Sequence, residues 1–134
     1  MKLMDLVGLH KLSGVDRLNE NIELCGDEFQ DCEVLNFVLD NKTYTAIQDP
    51  QDGYRSSMKE IKISNAKVVN IFCPQRVMCI YRVQLGSHEC DLLEMYDVHN
   101  GKLVLSVGTD NTDDYYPYWV ASFYPENMSV NTTR

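Results

Sequence analysis

Basic residues are scarce in this sequence: 12 lysines and arginines face 20 aspartates and glutamates, for a net charge of −8. Such a balance repels polyphosphate chains and anionic lipid, which excludes general binding to DNA, RNA or a membrane surface as the main role. It leaves room for a small phosphorylated ligand in a local basic pocket, or for imitation of nucleic acid toward a basic partner. Paired cysteines are also missing. The five, Cys25, Cys32, Cys73, Cys79 and Cys90, form an odd set without a CxxC spacing. That excludes a zinc-ribbon pattern and a fully paired disulfide scaffold, and reads as reduced structural thiols. Cys79 lies in an apolar run and is expected as a small core residue. Long hydrophobic runs are absent too. The opening MKLMDLVGLHKLSG is broken by charge and glycine, too interrupted for a signal peptide or a membrane span. The expectation is therefore a cytoplasmic location, with the sequons at Asn41, Asn127 and Asn131 accidental.

Catalytic patterns are lacking as well. His10, His88 and His99 have no metal-ligand spacing, and the sequence has no nucleophile elbow, no P-loop and no dinucleotide glycine fingerprint. Asp113 and Asp114 are adjacent loop carboxylates, expected as a solvated run. The aspartates at 110, 113 and 114 do not follow a calcium-loop spacing. The reading is a protein that is not an enzyme and carries no cofactor or metal.

What is present is period-two alternation. Residues 6–15 read as a strand with a bend at Gly8. Residues 33–39 and 42–47 flank Asp40-Asn41, and residues 91–98 and 102–108 flank Asn100-Gly101, each a hairpin signal. Residues 76–85 and 118–124 read as further strands, with Pro74, Pro117 and Pro125 at segment ends. Helical signal is confined to residues 53–63, where Met58 and Ile61 share a helical face. The expected fold is mainly β (α+β): a bent antiparallel sheet or small sandwich with one short helix. Residues 1–128 form one domain and 129–134 a frayed tail. Eight tyrosines, four phenylalanines and one tryptophan exceed what such a sheet easily hides, which points to a homo-oligomer.

Two segments stand out as recognition surface. In residues 43–57, TYTAIQDPQDGYRSS, a strand enters a turn built on Asp49-Pro50 and Asp52-Gly53, which delivers Tyr54, Arg55, Ser56 and Ser57 to one spot. An arginine beside hydroxyls suits a phosphate, and an adjacent aromatic suits a base. The plainer alternatives are that Tyr54 and Arg55 open a short helix, or that Arg55 pairs with Asp49 or Asp52. In residues 108–119, GTDNTDDYYPYW, a polar loop ends in Tyr115, Tyr116, Tyr118 and Trp119. Trp119 is expected to pack on the core, with Tyr115 and Tyr116 more exposed.

The blocks LVGLHKLSGVD, FVLDNKTYTAIQDPQDGYRSS and DVHNGKLVLSVGTDNTDDYYPYWVASFYPENM resemble a family of small phage and prophage proteins. The pattern is also similar to the Thoeris anti-defence proteins. These are sponges that capture cyclic ADP-ribose isomers made by bacterial TIR proteins, and some trap cyclic oligonucleotides. The resemblance implies a non-enzymatic homo-oligomer in the host cytoplasm, with ligand sites where protomers meet. A sponge needs arginine and hydroxyls on the pyrophosphate, aromatics on adenine and polar loop groups on ribose. The candidates in this sequence are Arg55, Ser56 and Ser57 for the first, Tyr54, Tyr81 and Tyr115 or Tyr116 for the second, and Asp110 and Asn111 for the third. After Arg82 the next arginine is Arg134, so a second arginine of that family has no counterpart in the C-terminal half. The competing expectation is an acidic interaction protein that blocks the basic nucleic-acid groove of a host defence effector.

Overall fold

The computed structural model describes residues 1–26, 28–82, 91–111 and 116–129. Eight strands form one antiparallel sheet in the order β4-β3-β2-β1-β5-β6-β7-β8. In chain order these are β1 (Gly8–Cys25), β2 (Glu28–Leu39), β3 (Lys42–Asp49), β4 (Ser57–Ile63), β5 (Ile71–Arg82), β6 (Asp91–Asp97), β7 (Leu103–Asp110) and β8 (Tyr118–Phe123). Short 3-10 turns at Leu3–Leu6 and Pro125–Asn127 are the only helical elements among the described residues. The sandwich alternative is thereby replaced by a single curled sheet. No helix among the described residues is long and apolar enough to cross a membrane.

Alternation decides which side chains the curl encloses. Val77 and Cys79 on β5 are buried, while Arg76, Met78 and Ile80, which alternate with them, are exposed. Across the ladders Cys79 faces Met95, Met95 faces Leu105, and Leu105 faces Phe123. From the other half, Leu35, Phe37 and Leu39 of β2 join the same cluster, with Tyr44 stacked on Phe37 at 5.7 Å. Each fully enclosed leucine or phenylalanine contributes about 1.5–3 kcal/mol. Burial pushes the Cys79 thiol up to about 12, so it behaves as a small apolar residue, as expected.

The expected helix over residues 53–63 is strand β4 instead. Ile61 faces Ala46 and Met58 faces Gln48, but the ladder slips between Ile47 and Gln48, so Lys59 is an extra residue. The bulge turns Met58 and Ile61, three apart, toward one core. A bulged strand thus imitates helical spacing. Pro74, expected at a segment end, lies inside β5. It is tolerated because the β1–β5 ladder is itself irregular there, between Leu12 and Gly14.

Both hairpin signals are realised. Asp40 and Asn41 hold φ of 51° and 68°, the left-handed pair that a two-residue hairpin needs. The Asp40 carboxylate accepts the Lys11 amide at 2.9 Å and meets His10 Nδ1 at 2.6 Å, while His10 Nε2 reaches the Leu6 carbonyl at 2.9 Å. Burial alone would raise the Asp40 carboxyl, but these hydrogen bonds and the imidazole charge outweigh it and hold it below its ordinary value. At the second turn, Asp97 accepts the His99 and Asn100 amides at 2.7 and 3.2 Å. His99 is exposed there, as expected. Asp97 also holds the Ser129 amide and hydroxyl at 2.7 and 2.6 Å. The frayed tail expected from residue 129 therefore has its first residue anchored; 130–134 lie outside the described residues.

Candidate functional site

The curl brings the outermost strands together at one end. Among the described residues no ladder joins β4 to β8; the contact is made by individual groups. The Ser56 amide donates to the Pro117 carbonyl at 2.9 Å, the Trp119 amide donates to Ser56 Oγ at 2.7 Å, and the Met58 amide donates to Thr109 Oγ1 at 2.8 Å. This seam carries the loop after β3 against the segment before β8, and with them Tyr54, Arg55, Ser56 and Tyr116, all singled out in the sequence.

Asp52 organises that loop. Its carboxylate accepts the Tyr54 and Arg55 amides at 2.8 and 2.9 Å, and its own amide donates to the Arg55 carbonyl at 3.1 Å. Hydrogen bonding from the Tyr54 amide lowers the Asp52 carboxyl most; the Arg55 amide and guanidinium add to it against a smaller burial effect. The Arg55 guanidinium lies 5.3 Å from the centre of the Tyr116 ring, a cation–π distance. The Tyr54 ring centre lies 6.5 Å from that of Tyr116, tilted by 40°. Tyr54 is 83% exposed. Arg55 also meets Asp52 at 3.4 Å, with both side chains about half exposed. The structural pairing weighed in the sequence is thus present, as a solvent-screened pair that leaves the guanidinium accessible.

The other sequence candidates divide. Ser56 is spent on the seam, with its oxygen accepting from Trp119. Ser57 accepts the Gln51 side-chain amide at 3.3 Å. Asp110 faces Tyr118 at the end of the β7–β8 ladder, so Asn111 follows opposite Pro117, at the same corner as Ser56. Asn111 Oδ1 is shielded from solvent and has no hydrogen-bond partner among the described residues. Tyr81 is not in the ring cluster: it packs against the core and donates to Asp91 at 2.7 Å. Tyr115 lies outside the described residues.

Sequence reading missed a polar group on the enclosed face. Trp119 packs on the core as expected, and its indole N–H donates to Glu33 Oε1 at 2.9 Å; Arg17 reaches the same oxygen at 3.4 Å. The pointer available in the sequence was phase: Glu33 falls in step with Leu35, Phe37 and Leu39, an acid at an inward position. Among the described residues no group of three histidine, cysteine or carboxylate side chains is placed to hold a metal.

Comparison with family models, with curated proteins and with solved structures returned no match to this chain.

Proposed function

We propose that this protein captures a small anionic nucleotide, a cyclic ADP-ribose isomer or a cyclic oligonucleotide, and withholds it from a receptor without cleaving it. The observation that carries the reading is the Arg55 guanidinium over the Tyr116 ring with exposed Tyr54 beside it. A cation held against aromatic faces binds a phosphate and stacks a base at once. A cyclic ligand is preorganised, so little affinity is lost in ordering it. The resemblance of TYTAIQDPQDGYRSS and the C-terminal block to small phage and prophage proteins, and of the overall pattern to the Thoeris anti-defence sponges, supports the same reading. It adds a homo-oligomer in the host cytoplasm, with the site shared between protomers. Calorimetric titration with cyclic ADP-ribose isomers and cyclic oligonucleotides tests it. Binding at a fixed stoichiometry with the ligand recovered intact supports the reading, and absence of binding to all of them removes it.

One observation favours a second reading, an acidic protein that fills a basic groove. The outer parts of β1 and β2 pair only with each other: β5 leaves β1 after Gly14, and β3 leaves β2 at Val34. This ribbon carries Glu20, Glu23, Glu28 and Asp31, with little cationic charge between them. Salt-sensitive binding to a basic defence effector, lost on replacing these acids and kept in Arg55→Ala, would favour it over nucleotide capture.

A further inference from the structure

Strand β5 overhangs its neighbour. Its pairing with β6 begins at Val77 opposite Asp97, leaving Ile71 to Arg76 beyond that ladder. Over the overhang folds the segment after β8, pinned by Asn100 Nδ2 to the Asn127 carbonyl at 2.9 Å, by Asn127 Nδ2 to the Leu103 carbonyl at 2.8 Å, and by Ser129 to Asp97. Between them lies a cavity of about 470 Å³, lined chiefly by Asn70, Phe72, Cys73, Gln75, Phe123 and Met128. That volume lies within the usual range for small-molecule sites. Phe72 of β5 and Phe123 of β8 stack on each other at 5.9 Å with their planes 16° apart.

The chemistry of this lining is distinctive in an acidic chain: it holds no charged residue. Its walls are aromatic rings and a thioether, and its polar members include two carboxamides, each of which pairs a donor with an adjacent acceptor. Gln75 is buried and its amide donates to the Cys73 carbonyl over a long 3.5 Å, a weak bond that a ligand edge can displace. We propose that this cavity binds an uncharged, flat heteroaromatic molecule, stacked on the phenylalanine pair and read along a donor–acceptor edge by carboxamide. Carboxamides recognise adenine edges in this manner, and ring stacking holds the plane. A phosphate finds no cation in the lining. The site is also separate from the Arg55 loop, which meets the other end of β8. The six residues Tyr118–Phe123 put about 17 Å between those ends.

Adenine and 2-quinolone are suitable probes, with indole as the ring that lacks the acceptor. Cys73 at the cavity is an exposed thiol, whereas Cys32 and Cys79 are buried, so alkylation by N-ethylmaleimide with peptide mass mapping reads the site directly. The expected result is that adenine or 2-quinolone slows Cys73 alkylation saturably, and that indole does so about fivefold more weakly. Phe123→Leu should weaken the effect roughly tenfold, as loss of a stacking ring does. Met128→Trp, which fills the cavity from its partly exposed side, should abolish probe signals in saturation-transfer NMR even if Phe123→Leu does not fold. Arg55→Ala should leave binding unchanged. No slowing by either probe at millimolar concentration overturns the proposal. So does protection that persists in Met128→Trp, and competition by inorganic phosphate overturns the assignment of an uncharged ligand.

Discussion

The Ser56 hydroxyl oxygen accepts the Trp119 amide at 2.7 Å across 63 residues of chain, and in doing so latches the two outer strands of the sheet. A side chain here substitutes for a backbone ladder. Ser56→Ala leaves the part-buried Trp119 amide unpaired, a loss of about 1–2 kcal/mol. Urea unfolding followed by Trp119 fluorescence should show a lower midpoint with an unchanged slope. Ser56→Thr, which keeps the hydroxyl, should recover most of it. An unchanged midpoint in Ser56→Ala would mean that the latch contributes nothing.

Arg55 behaves differently. Its pairing with Asp52 is half exposed and screened, so Arg55→Ala should leave stability nearly unchanged. A charge-assisted phosphate contact is worth about 1.5–3 kcal/mol, or roughly one to two decades of affinity. Nucleotide titration of Arg55→Ala should therefore lose binding while the melting temperature stays nearly constant. A collapsed melting temperature would assign the residue to the turn instead.

Asp97 is 1% exposed, and its carboxylate gathers the amides of His99, Asn100 and Ser129 and the Ser129 hydroxyl. Burial pushes its carboxyl up, but the Ser129 bonds and the two turn amides outweigh that and lower it from 3.8. A carboxyl lowered on folding stabilises the native state above its unfolded value. That stabilisation is lost as pH falls from about 3.8 through the lower native value. Denaturant titrations should show wild-type stability falling across that acid window. Asp97→Asn should flatten the fall and lose roughly 2–4 kcal/mol near neutrality, because the amide cannot accept from all these donors.

Gly108 sits at φ +138°, and a Cβ placed there would lie 2.1 Å from the Asp91 carbonyl oxygen and 2.9 Å from Leu3. The nearest obstacle is backbone in the neighbouring strand, which cannot swing aside. Gly108→Ala should therefore destabilise by more than about 3 kcal/mol, or leave the chain insoluble on expression. Gly101→Ala, with open space around its Cβ, should cost less and only through its φ of +70°.

Much of the fold was legible in residues 33–47 and 91–108, where alternation and turn chemistry agree. Period-two patterning and the Asp40-Asn41 pair act over a few residues, so local sequence carries their information. The 53–63 segment was misread because a bulge at Lys59 shifts the register by one, and register is a relation between β4 and β3 that neither strand shows alone. The Tyr54–Arg55 turn was also local, held by Asp52 two and three residues away. Its meeting with Tyr116 was not, nor was the Glu33 carboxylate under the Trp119 indole, 86 positions distant. By itself the sequence determined the Asp40-Asn41 and Asn100-Gly101 hairpins and the inward phase of the strands beside them, because those follow from backbone geometry over neighbouring residues. Only the tertiary structure decided which strand edges meet, since the closing of the curl depends on the summed twist and bulges of eight strands, which no short stretch contains.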